Sequence, residues 1–172
     1  MRETGFEVPP AEHARLATAY AADTAWHAMV AGYGMRKPDQ PWMESGGGGL
    51  AATIGDYINF ARMLAKGGRV GGERPLSETL FADMSRNQLP DGGDGPHAYT
   101  GPGFGFGLGL AVRHGWGSAA MPCFAGEMTW SGISGTAVFV HPGEQWFGVA
   151  FTSNMATRMM ARMEFRRGAA LL

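Results

Sequence analysis

The chain has 172 residues, 45% of them hydrophobic, which is the size of one domain with enough apolar material for a core, and this excludes disorder. Charged residues make up 17% and the formal net charge is −1, so no broad positive field draws in phosphates, and nucleic acid is not an expected partner. The single cysteine, Cys123, excludes an internal disulfide, and no apolar run approaches the ~20 residues of a membrane span.

The N-terminus, Met1-Arg2-Glu3-Thr4-Gly5, is not a basic then apolar leader, so a soluble, cytoplasmic chain is expected. After the Pro9-Pro10 break, the alanines of residues 11–20 favour helix weakly, and Gly32, Gly34, Pro38 and Pro41 favour loop. Beyond the four glycines of residues 46–49, Thr53 is placed to cap a helix carrying Tyr57, Phe60, Ala61 and Leu64 at helical spacing. Gly67-Gly68 ends it. Ser77 opens a second helix with an acidic first turn and Leu80, Phe81 and Met84 as its apolar content, ending near Asn87. Residues 90–102, with four glycines and three prolines, read as a long exposed loop of the kind that borders binding sites.

The chain holds 28 glycines, well above the ~7% of average proteins. Where Gly103, Gly105, Gly107, Gly109 and Ala111 alternate with Phe104, Phe106, Leu108, Leu110 and Val112, the strict period of two predicts one strand with a bare face open to close backbone approach. Residues 136–140 and 146–151 are β-rich runs around His141-Pro142-Gly143-Glu144 and predict an antiparallel hairpin. Last come two stripes at i, i+4 spacing, Met155, Met159 and Met163 beside Arg158, Arg162 and Arg166, which suit a closing amphipathic helix with the methionines packed into the core. The order predicts an α+β fold: helices first, three or four antiparallel strands second, and a last helix over the sheet.

His13, His27, His97, His114 and His141 are scattered and form no His-x-x-x-His pair, so no metal or other cofactor is expected. A serine nucleophile needs a base, delivered by a Gly-x-Ser-x-Gly elbow or by lysine in Ser-x-x-Lys, and none of the seven serines fits either pattern. Tyr57-Ile58-Asn59 matches Tyr-x-Asn, yet it falls inside a helix whose apolar face needs Tyr57, and reads as a chance match.

The order of the fragments carries more than any one of them. Residues 47–64, from Gly47-Gly48-Gly49-Leu50 through Asp56 to Arg62-Met63-Leu64, followed by Gly67-Gly68, resemble the glycine-rich turn and helix of class C β-lactamase-like serine hydrolases. In the same order, Leu76-Ser77-Glu78-Thr79 resembles that family's next helix start and Gly105-Phe106-Gly107-Leu108-Gly109 its first late strand. Gly126-Glu127-Met128-Thr129-Trp130-Ser131-Gly132 resembles its third active-site motif, and Glu3-Thr4-Gly5-Phe6 the segment after its catalytic tyrosine region.

The resemblance covers nearly the whole chain. It implies that residues 1–172 are the C-terminal part of one β-lactamase/penicillin-binding-protein-like domain. Residues 1–102 then supply helices and loops, and residues 103–172 the antiparallel strands and terminal helix. It also implies that Trp130-Ser131-Gly132 corresponds to the Trp-Gly-Gly motif of the esterase branch rather than to Lys-Thr-Gly. Trp130, Ser131 and Gly132 would then border substrate, and the backbone N–H of Ile133 would be one arm of an oxyanion hole. Tryptophan in place of lysine removes the cation that would meet a β-lactam carboxylate and favours neutral esters. The alternative is that Trp130 is a core aromatic on a strand.

Family members carry Ser-x-x-Lys and a Tyr-x-Asn/Ser motif upstream of these segments, so the chain alone is expected to be inactive. The function implied is one part of a serine hydrolase that cleaves carboxylic esters through an acyl-enzyme, with a small ester or β-lactam-like substrate bound only once an N-terminal half completes the site. A non-catalytic interaction domain, or a fragment of a β-lactamase or DD-peptidase, remains the alternative. In the family the terminal strands pair with N-terminal strands, so an open sheet edge, with self-association through it or marginal stability, is expected.

Overall fold

A computed structural model describes residues 1–18, 20, 43–90, 100–115 and 122–171. The elements in chain order are β1 (Thr4–Gly5), a 3-10 helix (Pro10–Arg15), β2 (Ala51–Ala52), α1 (Ile54–Ala65), α2 (Glu78–Ser85) and β3 (Phe104–Phe106). They continue with β4 (Ala111–Arg113), β5 (Met128–Ser131), β6 (Ala137–His141), β7 (Trp146–Ala150) and α3 (Arg158–Ala169). Strands β1 and β2 form a small antiparallel pair, and β3 to β7 form one five-stranded antiparallel sheet in sequential order. The expected α+β class with flanking helices is what the chain adopts. The strand count exceeds the three or four anticipated.

Both predicted serine and threonine caps form. The Thr53 hydroxyl accepts from the Asp56 N–H at the start of α1, and Ser77 Oγ accepts from the Leu80 N–H at the start of α2. Each cap satisfies one of the orphan donors of a helix N-terminus. Helix α1 closes on Gly67 and Gly68 at φ 62° and 86°, where their N–H groups bond the carbonyls of Leu64 and Met63. The left-handed backbone explains the glycines there. Asp56 also reaches the N-terminal segment: its carboxylate accepts from the Glu3 N–H at 2.7 Å and the Thr4 hydroxyl at 2.9 Å. That pins β1 beside β2, which leads directly into α1.

Helix α1 lies on one face of the sheet. Ala61, Leu64 and Ala65 pack with Leu110, Val112, Met128, Val138 and Val140, and Tyr57, Phe60, Phe81, Met84 and Trp130 close over the rim. Alternation along β6 sends Phe139 to the opposite face, where its ring meets Phe165 of α3 at 5.2 Å between centroids. The sheet is thus covered by helix on both faces. Leu80, counted among the apolar residues of α2, is exposed instead.

Three expectations are corrected. The alternating run at 103–112 is not one strand but the tight β3–β4 hairpin, with Phe104 opposite Arg113 and Phe106 opposite Ala111. Gly109 turns it at φ 100°, a conformation that period-two reading does not register. The expectation of close approach at the glycines does hold: a Cβ on Gly105 would overlap the Asn87 amide, and one on Gly107 the Met84 carbonyl. Secondly, residues 11–20 give a short 3-10 helix that stops at Arg15, with Tyr20 in an isolated bridge to Asn154.

The third correction concerns α3. Two arginines of the stripe, Arg162 and Arg166, face inward and are buried, while Met159 is exposed and Met155 and Met163 are only half-buried. The reason is that the sheet presents polar partners to this helix, among them the wholly buried Glu127 and the carbonyls of Pro122 and Gly132. Long arginine stems also cover apolar surface, so the core loses little by accepting them. Gly32, Gly34, Pro38, Pro41 and most of the predicted loop at 90–102 lie outside the described residues. Among the described residues, no helix is long and apolar enough to cross a membrane.

Candidate functional site

The stretch from Glu127 to Asn154 places the residues singled out in the sequence. Strand β5 is the central strand, paired with β6 over Met128↔Val140 to Ser131↔Ala137 but with β4 only at Thr129↔Ala111 and Met128↔Val112. Its last two residues, Trp130 and Ser131, therefore run beyond the end of β4. Trp130 shares the face of Met128 and packs half-buried against the α1 core, with Phe106 edge-on at 5.2 Å. Ser131 is on the other face, and with Thr129, Thr100, Arg162 and Arg166 it lines a small cleft of about 20 Å³, room for roughly one water. Trp130 also borders that cleft.

Ile133 does not continue the strand. Strand β5 ends at Ser131, and residues 132–135 form the turn into β6, so Trp130 and Ile133 do not lie on one strand. The turn is closed by Gly135 N–H to the Gly132 carbonyl at 3.1 Å, and the Gly132 N–H bonds the Thr136 carbonyl at 2.9 Å. Gly135 holds φ 115°, and a Cβ there would meet Thr152 Oγ1. Ile133 sits at the corner with its side chain half exposed, and among the described residues its N–H has no hydrogen-bond acceptor. It is not part of the cleft lined by Ser131.

The turn is held from two directions. The Asn154 N–H bonds the Ser134 carbonyl at 2.9 Å, and Asn154 Oδ1 accepts from the N–H groups of Ala156 and Thr157 ahead of α3. From α3, Arg162 Nη2 donates to the Gly132 carbonyl. One turn further on, Arg166 Nη2 lies 2.5 Å from Glu127 Oε1, Arg166 Nε bonds the Pro122 carbonyl at 2.9 Å, and its guanidinium stacks 4.4 Å from the Phe139 centroid. Burial pushes the Glu127 carboxyl above its ordinary value, and the charge and hydrogen bond of Arg166 work against that rise. Sequence reading did not single out Glu127, Asn154 or the two inward arginines as partners of this region. The four-residue spacing of Arg158, Arg162 and Arg166 was the available signal.

Burial disfavours the ionised form of two other reactive-looking groups. Tyr57 lies in α1 with its ring against Phe60 and Phe151 at 5.7 and 5.6 Å, and burial pushes its phenol up, away from ready ionisation. Burial likewise pushes the Cys123 thiol up, although Arg113 and Arg166 oppose it, so little thiolate forms.

What remains is one wall: an aromatic at the end of a central strand, followed by a turn whose peptide N–H is free at the corner. The whole chain, residues 1–172, matches the Beta-lactamase family, and the protein belongs to it. It is 33% identical over 145 residues to two Mycobacterium tuberculosis proteins, "Uncharacterized protein MT1414" of strain CDC 1551 / Oshkosh and "Protein Rv1367c" of strain H37Rv. The matched region is 79% of this chain and 35% of each relative, so the chain spans about a third of their length. Its fold is similar to that of "EstCE1, a hydrolase with promiscuous acyltransferase activity", with a TM-score of 0.68 and 24% identity. That match covers 97% of this chain and 46% of the other.

Proposed function

We propose that this chain forms the sheet wall of a β-lactamase-family serine hydrolase site acting on carboxylic esters through an acyl-enzyme. The nucleophile comes from polypeptide outside residues 1–172, because none of the seven serines is followed by lysine three positions on. The observation that carries the reading is the free Ile133 N–H at the corner directly after Trp130-Ser131-Gly132, where an oxyanion donor must stay unconsumed by the ladder. Trp130, half-buried against the α1 core, puts no cation where a β-lactam carboxylate would need one, which supports neutral esters over β-lactams. The acyl chemistry named for EstCE1 agrees with this choice.

The test joins residues 1–172 to any coding sequence found upstream in frame and compares short nitrophenyl esters with nitrocefin. Ester turnover above nitrocefin turnover is the expected result. Nitrocefin hydrolysed as well as or better than esters refutes the substrate assignment, and absence of any Ser-x-x-Lys upstream refutes the hydrolase. The second reading, a non-catalytic interaction domain, rests on the missing nucleophile, and that same upstream sequence decides it.

A further inference from the structure

We infer that Arg162 is a positioning residue that aims and strengthens the Ile133 N–H as an oxyanion donor, an inference that rests on the reading of that N–H given above. The Gly132 carbonyl and the Ile133 N–H belong to one peptide unit, and no peptide bond in the described chain is cis. In a planar trans peptide the C=O and N–H point in opposite directions, so whatever grips the oxygen sets the direction of the hydrogen. Here the oxygen is gripped twice, by the Gly135 N–H of the turn and by Arg162 Nη2 reaching up from α3. The N–H therefore points away from α3.

The grip is fixed rather than casual. Arg162 is only 4% exposed, and its other terminal nitrogen lies 3.6 Å from Met159 Sδ. A buried guanidinium bonded to a carbonyl draws electron density through the amide toward oxygen, which makes the N–H on the far side a stronger donor. Any negative charge that develops opposite that N–H is stabilised by the same cation across one peptide unit. A neutral turn closed only by Gly135 supplies orientation without this polarisation.

Polarisation has a readout separate from folding. Exchange of an exposed amide hydrogen in mildly basic water passes through a peptide anion whose charge sits largely on the carbonyl oxygen, and a bonded arginine stabilises that anion. Ile133 in residues 1–172 is therefore expected to exchange about tenfold faster in the wild-type chain than in Arg162→Met, measured by NMR, the factor for about 1.4 kcal/mol of lost stabilisation. Arg162→Lys, which keeps the charge but not the fork, is expected to recover part of the rate. Loosening of the structure moves exchange the other way, toward faster, so a merely structural role predicts the opposite sign. Equal or faster Ile133 exchange in Arg162→Met, with the Met128 and Val138 amides still protected, overturns the proposal. Should Arg162→Met unfold, slower exchange in Arg162→Lys alone supports it, and an unchanged rate in that variant overturns it. Titration with acetate separates this from the parent reading: if acetate leaves the wild-type Ile133 amide shift unmoved, the oxyanion role falls while the exchange result still decides the part played by Arg162.

Discussion

Glu127 Oε1 and Arg166 Nη2 stand 2.5 Å apart between the sheet and the terminal helix, with the carboxylate side chain wholly closed to solvent and the guanidinium 6% exposed. An ion pair in that setting costs much of its Coulomb gain in lost hydration, yet each charge without the other costs far more. Arg166→Met or Glu127→Met alone is expected to lower stability by about 3–5 kcal/mol, and the double replacement by less than the sum of the two. Urea unfolding of the four proteins measures it. Additive losses would show that the pair is not a unit.

At the other end of the fold, Asp56 holds the N-terminal strand. Desolvation works to raise its pKa, but the Glu3 N–H and Thr4 hydroxyl outweigh it and keep the carboxyl below its ordinary value. Its stabilising contribution is thus present above the unfolded value of about 3.9 and lost as pH falls through the lower folded one. The Thr4 and Gly5 amides are expected to lose dispersion only in that acid range. Asp56→Asn should remove the pH dependence, and an unchanged acid response in that variant refutes the assignment.

Gly107 backs onto the carbonyl of Met84, at the C-terminal end of α2, where a Cβ has no room. Gly107→Ala is expected to destabilise by about 1–3 kcal/mol, the range for overpacking against immovable backbone. Gly46, with nothing near its Cβ position, serves as the control, and its alanine variant should unfold close to wild type.

Residues 1–172 alone should neither turn over nitrophenyl esters nor show a burst, because no activated nucleophile is present among the seven serines. Intact-protein mass spectrometry after incubation with a short acyl ester checks this directly. An acyl adduct on any serine or on Tyr57 overturns it.

The five-stranded sheet ends at β3 and β7, each with one partner strand among the described residues. Strand β7, Trp-Phe-Gly-Val-Ala, carries none of the lysines or prolines that guard an edge. Concentration-dependent dimers in sedimentation are the expected outcome, and a monomer with sharp, concentration-independent unfolding counts against it.

Much of this fold can be read where a local rule suffices. Thr53 and Ser77 mark their helices because capping depends on neighbours three residues away, and the turn after His141 separates two β-rich runs without help from the rest of the chain. The rules failed where partners are distant. Phe104 to Val112 alternates as well in a hairpin as in a strand, and only the left-handed Gly109 decides between them. The inward turn of Arg162 and Arg166 on α3 escapes a periodicity reading because Glu127 and the Gly132 carbonyl, 39 and 30 residues from Arg166 and Arg162, are invisible to it. Of the candidate site, Trp130, Ser131, Gly132 and Ile133 were named from a resemblance, but the break between strand and turn after Ser131 was not.

Gly148 stands directly opposite Phe139 on the neighbouring strand, and a Cβ at 148 would lie inside the phenyl ring. An aromatic laid across a bare glycine is a known means of locking strand register. Here the ring also carries the Arg166 guanidinium on its face. The three positions are consequently bound in their evolution: a side chain at 148 requires a smaller residue at 139, and that loss strips the cation of its aromatic seat. Sequences keeping this sheet should therefore show Gly148, Phe139 and Arg166 changing together or not at all, a correlation that an alignment of relatives can test.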